Sequence, residues 1–241
     1  MITPVIIPVL NGLHLTRECV RTVLAQDVPC EIWIIDNGSV DGTREWIFSL
    51  ANDRVRHVAA NLPSVAASWN FGLNFAFGMA DCEAAWVINN DTQFRPDSLR
   101  HLLAANGPFV TLVGKDDVHC IDPPYNDPDP TKIRPHPDFS CFLIRKECFV
   151  KVGSFDEEYF GAYVEDSSYH VRLHRAGVTA IALEMPFYHI GAGTIKEADE
   201  ATRMKIQLRA DANRALFKQK YGVAVGSPEY YALFGHGEPK E

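Results

Sequence analysis

Apolar residues along this chain gather in short runs that stop at polar turns, and these runs alternate with stretches of helical period. Residues 5–10 read as a strand. Within 14–26, Leu15, Cys19, Val20, Val23 and Leu24 fall on one helical face. Residues 31–35 form a second apolar run, which ends at Asp36. Asp41-Gly-Thr-Arg opens a helix whose apolar positions include Trp46, Ile47 and Leu50. A third strand at 55–59, a helix at 64–79 and a fourth strand at 84–88 follow. Arg95-Pro-Asp-Ser then starts another helix, with proline near its first turn. This alternation predicts an α/β fold with a mostly parallel central sheet, flanked by helices on right-handed crossovers.

The pattern changes after a strand at 109–114. Residues 121–138 hold six prolines and read as a long surface loop without regular structure. Regularity returns with a strand at 139–144, a short helix near 146–152 and the turn Gly153-Ser-Phe-Asp. A helix after Glu165-Asp166, a strand at 178–183 and a polar-rich helix from about 197 to 221 complete the chain, before a frayed end. No internal repeat is present, so residues 1–241 are expected to form one domain with two functional halves, 1–115 and 116–241.

Composition narrows this picture. A hydrophobic content of 46% with 22% charged residues is that of a globular chain. The formal charge of −8 argues against a general grip on nucleic acid. The first residues lack a basic segment and are broken by Pro4 and Pro8, so they read as a strand and not as a signal peptide. No stretch approaches the roughly 20 apolar residues of a membrane span. The six cysteines show no CxxC spacing, which fits reduced thiols and gives no support for structural zinc. These features together predict a cytoplasmic chain without a transmembrane anchor.

Three strand ends carry the candidate chemistry: Pro8 to Asn11, Asp36-Asn37 and Asn89-Asn90-Asp91. A parallel sheet puts all three on the edge where ligands of open α/β sheets bind. Asp36 or Asn37 suits a base edge or a ribose hydroxyl, and Gly38 and Gly42 flank a tight turn. Neither GxGxxG after the first strand nor a P-loop is present, so bound phosphates would need a metal. Asp91 is suited to a hard divalent cation that grips a diphosphate. The plainer reading of Asp91 is a strand end followed by an Asp-Thr turn.

Glu165-Asp166 precedes an amphipathic segment, so Asp166 is either a first-turn acid or a general base facing the crevice. Asp166, His170 and His174 also share a helical face, a weaker metal alternative because Arg172 and Arg175 flank the histidines. His189 ends an apolar strand and is followed by Gly-Ala-Gly-Thr, which permits close approach to a ligand.

These pieces, in this order, resemble family 2 glycosyltransferases of the GT-A fold over nearly the whole chain. The resemblance rests on Ile6-Ile-Pro-Val-Leu-Asn11, on Ile34-Ile-Asp-Asn-Gly-Ser-Val-Asp-Gly-Thr43 and on Asn61 with Asn70-Phe-Gly72. It continues through Ile88-Asn-Asn-Asp-Thr92, Phe142-Leu-Ile-Arg-Lys, Val152-Gly-Ser-Phe-Asp-Glu-Glu-Tyr-Phe160 and Val164-Glu-Asp166 to Arg172-Leu-His-Arg-Ala-Gly177, and ends at His189.

The resemblance implies an inverting, single-addition transfer from a nucleotide diphosphate sugar to an acceptor hydroxyl of unknown identity. Asp91 and His189 would hold Mn²⁺ or Mg²⁺ on the diphosphate. Asp166 would act as base, with Glu165 supporting it. Pro8, Leu10, Asn11, Asp36, Asn37, Asn61 and Asn90 would line the donor pocket in the nucleotide-sugar-binding half, 1–115, ahead of an acceptor half, 116–241. The Asp36-Asn37 form resembles rhamnosyltransferase-like relatives and points to a UDP- or dTDP-linked donor.

Two departures stand out: Ser168 replaces a second acid, and Leu62-Pro63-Ser64 replaces the glycine after Asn61. No QxxRW-like segment is present, which argues against a processive synthase. The competing readings are a non-catalytic sugar-nucleotide or glycan-binding module and a nucleotidyltransferase. The latter needs a glycine-rich basic loop that Pro8-Val-Leu-Asn-Gly-Leu-His lacks. Acceptor contacts are expected from 121–138 and from the last helix. That helix carries Arg203, Lys205, Arg209, Arg214, Lys218 and Lys220, either as a solvated face or toward an anionic acceptor or membrane surface.

Overall fold

Successive side chains of the central strands leave the sheet on opposite faces, and both faces are covered. In β1 (Thr3–Val9), Val5, Ile7 and Val9 enter one apolar cluster and Ile6 enters the other. After helix α1 (Leu13–Leu24), β2 (Cys30–Asp36) divides in the same way, with Ile32 and Ile34 opposite Trp33 and Ile35. This period of two is what a strand buried on both faces requires. The computed structural model describes residues 2–129, 133–134, 136–191 and 199–234.

Helix α2 (Thr43–Ser49), β3 (Val55–Ala59), α3 (Val65–Gly78) and β4 (Ala84–Ile88) continue the alternation. Then come β5 (Thr92–Gln93), α4 (Ser98–Ala104), β6 (Phe109–Lys115), β7 (Ile133–Arg134), β8 (Cys141–Arg145) and α5 (Lys146–Val152). The chain closes with α6 (Glu165–Arg175), β9 (Ala180–His189), α7 (Glu200–Tyr221) and α8 (Pro228–Ala232). One nine-stranded sheet runs β3-β2-β1-β4-β8-β6-β9-β5, with β7 added to β9. The β3-β2-β1-β4 portion is parallel, whereas β8 runs antiparallel to both β4 and β6.

Helix α3 lies close on β1 because Gly72 has no side chain: a Cβ there would sit 2.6 Å from Ile6 Cγ2. Its amino terminus is capped by Ser64, whose hydroxyl accepts from the Ala67 amide at 3.1 Å. Asn70 fastens its far side. The Asn70 amide donates to the Phe155 carbonyl at 2.9 Å, and its oxygen accepts from the Phe155 amide at 2.8 Å. Helices α6, α7 and α8 share a smaller cluster containing Tyr159, Val171, Phe217 and Tyr230.

The expected strands at 55–59 and 84–88 agree with the structure at both ends. Four short elements were not anticipated: β5, β7, α8 and a 3-10 turn at Val118–Ile121. The loop at 121–138 is not wholly irregular, because Ile133 and Arg134 pair with Leu183 and Ala182 of β9. Proline cannot donate to a ladder, but neither of these two residues is proline. Strand β9 runs on to His189, beyond the expected 178–183, since it gains β6 and then β5 as neighbours. The glycine run beyond Gly191, the start of the last helix near 197, part of the proline-rich loop and the last seven residues lie outside the described residues.

Candidate functional site

Parallel register brings the polar strand ends together. Val9 pairs with Asp36, and Ile6 pairs with Val87, so β1, β2 and β4 end on one edge. A cleft of about 900 Å³ opens there. Pro8, Leu10, Asn37, Asn90, Asp91, Glu165, Asp166 and His189 are all part of its lining. Asn11, Asp36 and Asn61 stand outside its lining.

Asp91 and His189 are neighbours because Thr92 of β5 pairs with His189 of β9, and the Ile190 amide donates to the Asp91 carbonyl at 3.2 Å. Asp91 Oδ1 lies 3.4 Å from His189 Nε2. A carboxylate oxygen and an imidazole nitrogen this close, both facing the cleft, fit a shared Mn²⁺ or Mg²⁺.

Asp166 sits in the first turn of α6 and accepts a hydrogen bond from the Ser167 amide at 2.6 Å. Burial pushes its carboxyl above the ordinary aspartate range despite that bond, and the nearby Asp138 adds to the rise. Burial also pushes Glu165 well above its ordinary value, helped by the charge of Asp166. Burial thus disfavours charge on both of these adjacent carboxyls.

The turn ahead of them is strained. Tyr163 and Val164 both have positive φ, 78° and 81°, a region costly for a β-branched residue. Asn213 of α7 holds this turn. Its side-chain amide lies 3.2 Å from the Phe160 carbonyl and 3.1 Å from those of Ala162 and Tyr163.

The other predicted donor residues do different work. Asn37 donates to the Ser68 hydroxyl at 2.6 Å, and among the described residues its Oδ1 is buried with no hydrogen-bond partner. Asn90 ties β4 to the end of β1, donating to the Asn11 carbonyl at 3.2 Å and to Thr16 Oγ1 at 3.0 Å. Asn11 accepts from the Val40 amide at 2.8 Å. Asp36 accepts from the Ser39 amide at 2.9 Å and pairs with Arg44 at 2.6 Å. Burial alone would raise the Asp36 carboxyl, but Ser39 and Arg44 outweigh it and hold it below the usual range. Asn61 lies beside Gly38, where an added Cβ would meet its Oδ1 at 3.3 Å. Asn11, Asp36 and Asn61 thus meet the loop after β2.

Ser168, the departure from a second acid, points away from the cleft. It donates to Asp156 at 2.5 Å and meets the Tyr221 hydroxyl at 2.7 Å. His170, of the weaker metal alternative, stacks on Phe234 with ring centroids 3.8 Å apart. Sequence reading missed Asp138, Tyr163 and Asn213, and it placed Arg209 in a basic group that is either solvated or turned toward an anionic acceptor or membrane surface. Asp138 lines the cleft and accepts from the Gly114 amide at 3.1 Å. Its one signal was its place between the last loop proline and the next strand.

A second group of possible metal ligands lies at the start of α4, where one atom each of Asp97, His101 and Asp127 fall within 4.8 Å of one another. Asp97 is already bound by Arg95 through contacts of 3.0 and 2.6 Å, so most of its charge is neutralised by protein. No disulfide joins the described cysteines, and no described helix is long and apolar enough to cross a membrane.

Residues 5–122 match the model of Glycosyl transferase family 2. The N-acetylglucosaminyl-diphospho-decaprenol L-rhamnosyltransferases of two Mycobacterium tuberculosis strains are each 27% identical over 210 residues, 69% of this chain and 68% of the relative. Among solved structures, the mannosyltransferase PcManGT from Pyrobaculum calidifontis, in complex with GDP-Man and Mn²⁺, matches with a TM-score of 0.64 and 19% identity. That match covers 97% of this chain and 68% of the other. TarS 1–349 from S. aureus, in complex with UDP, matches with a TM-score of 0.57 and 14% identity over 97% of this chain and 80% of that one.

Proposed function

We propose that this chain works as a family 2 glycosyltransferase and transfers one sugar, with inversion, from a UDP- or dTDP-linked donor to a hydroxyl of a lipid-linked saccharide. The observation that carries the proposal is the shared cleft, whose lining holds both the Asp91–His189 pair and Asp166. The mycobacterial relatives, named for a rhamnosyl transfer to a diphospho-decaprenol saccharide, suggest a deoxyhexose donor and an acceptor of that chemical class.

The buried Oδ1 of Asn37 suits the imide N–H of uracil or thymine, which would satisfy an otherwise unpaired acceptor. Asp91 and His189 would hold the divalent ion, which when bound supplies positive charge to the leaving diphosphate. Asp166 accepts the proton of the acceptor hydroxyl as that oxygen bonds to the anomeric carbon and the bond to the diphosphate oxygen breaks. Attack from the face opposite the leaving group inverts the configuration. Glu165, whose carboxyl burial pushes well above its ordinary value, supports Asp166 by orienting the neighbouring loop.

The test uses purified chain with UDP- and dTDP-sugars, with and without Mn²⁺. Metal-stimulated release of nucleoside diphosphate, lost in Asp91→Ala, is expected. Asp166→Asn should bind donor normally and transfer nothing. Full transfer by Asp166→Asn would remove the assigned base, and donor binding without any release would favour a non-catalytic module.

A further inference from the structure

Helix α7 buries one face and leaves an unusual one outside. At about 100° per residue, Ile206, Ala210, Asn213 and Phe217 face inward, as their burial shows. The opposite pole carries Ala201, Met204, Leu208, Ala212 and Ala215, all exposed. Met204 and Leu208 are 67% and 65% exposed, one turn apart. Such a pole is normally polar on a helix whose other side is packed.

Charge marks the same helix. It holds six basic residues against two acidic ones, in a chain whose net charge is −8. Lys205 and Arg209 border the apolar pole on its cleft side; on the other side lie Lys218, Glu200 and Asp211, the last paired with Arg214 at 2.8 Å. Ile206 of the inward face and Arg209 on the flank line the cleft, so this helix borders it. Arg209 also lies over the ring of Phe160, 4.9 Å from its centroid, and Phe160 is itself 48% exposed. Two elements distant in sequence therefore present an aliphatic, aromatic and cationic rim at one place.

We propose that this rim, formed by the Met204–Leu208 pole of α7 with Phe160 and its basic border, is a docking surface for an anionic lipid bilayer. Apolar side chains would enter the headgroup boundary while lysine and arginine meet lipid phosphates. Docked this way, the helix that borders the cleft lies on the bilayer, at whose surface the hydroxyl of a lipid-linked acceptor is presented. The orientation toward an acceptor rests on the function proposed above, whereas the affinity for anionic bilayers does not.

The experiment is co-sedimentation of the full chain with vesicles of phosphatidylcholine alone and of phosphatidylcholine with one-third phosphatidylglycerol. Binding is expected to the anionic vesicles, with release by high salt, and about tenfold weaker binding in the double variant Met204→Gln, Leu208→Gln. Phe75→Ser, on α3, removes an equally exposed aromatic (62%) away from this rim and should leave binding unchanged. Donor hydrolysis reports folding of the double variant and should stay at the wild-type rate. Equal affinity for neutral vesicles, no binding, or the same loss in Phe75→Ser would overturn the proposal. So would a self-associated wild-type chain that the double variant converts to monomer, since the pole would then cover a second copy. Vesicle binding without donor hydrolysis by the wild type would leave the docking surface standing and count against the transferase reading.

Discussion

The side-chain amide nitrogen of Asn213 lies 3.1 Å from the carbonyl oxygen of Tyr163, and so couples helix α7 to the turn that aims Asp166. Positive φ at two successive residues with side chains costs on the order of 1–3 kcal/mol each. A turn of that energy persists only while something holds it. Replacing Asn213 by alanine is expected to lower kcat at least tenfold and to lower stability by about 1–3 kcal/mol. Donor KM should stay near wild type, because Asn37 and Asp91 are untouched. Equal damage to donor KM would mean that Asn213 supports the fold in general.

His189 is expected to tune metal affinity, with Asp91 indispensable. Removing the imidazole 3.4 Å from the carboxylate should raise the Mn²⁺ concentration for half-maximal donor hydrolysis by about 10–100-fold. At saturating metal, His189→Ala should recover much of its rate, whereas Asp91→Ala should recover none. A metal titration of both variants reads this directly.

The pH profile should carry the signature of Asp166. Its folded carboxyl is pushed up by burial and further by Asp138. A protonated carboxyl cannot accept the acceptor's proton, so activity falls as pH drops through this raised value. The acid limb of kcat/KM is therefore expected above the ordinary aspartate pKa of about 3.9. Asp138→Asn removes a repelling charge, which should lower the Asp166 pKa and move that limb to lower pH. An acid limb that stays in place would argue against this electrostatic coupling.

Gly72→Ala tests the contact between α3 and β1. The added methyl would lie 2.6 Å from a branched carbon of Ile6, close to the backbone of a central strand. Overpacking of this kind costs about 1–3 kcal/mol, visible as a lower denaturant midpoint at unchanged slope. Gly78→Ala meets nothing within 4 Å and serves as the control.

Much of the donor side of this molecule was legible in its residues, because strands buried on both faces write their ends plainly: an apolar run, then Asp36-Asn37 or Asn89-Asn90-Asp91. Their common edge followed from parallel pairing alone. The partnership of Asp91 with His189 was inferred by resemblance, and its physical cause is the two-residue strand β5, too short to leave a periodic pattern. Asn213 left no trace, since one buried amide in a polar-rich helix looks like any other solvated residue. Asp36 and Asn11 illustrate a different limit. Sequence marks them as polar at the right edge, but only the folded loop reveals that their hydrogen bonds go to Ser39, Arg44 and Val40.

Strand β9 meets β7 through Ala182 and Leu183, β6 along most of its length, and β5 at Tyr188 and His189. Side chains alternate along a strand, so a slip of one residue would swing His189 to the opposite face. Three ladders guard against that slip, and the register already absorbs an irregularity between Thr111 and Val113. Insertions in the flanking loops would leave the residue count between these ladders intact. Descendants of this chain can therefore diversify the flanking loops while the pairing of Asp91 with His189 stays in calibration.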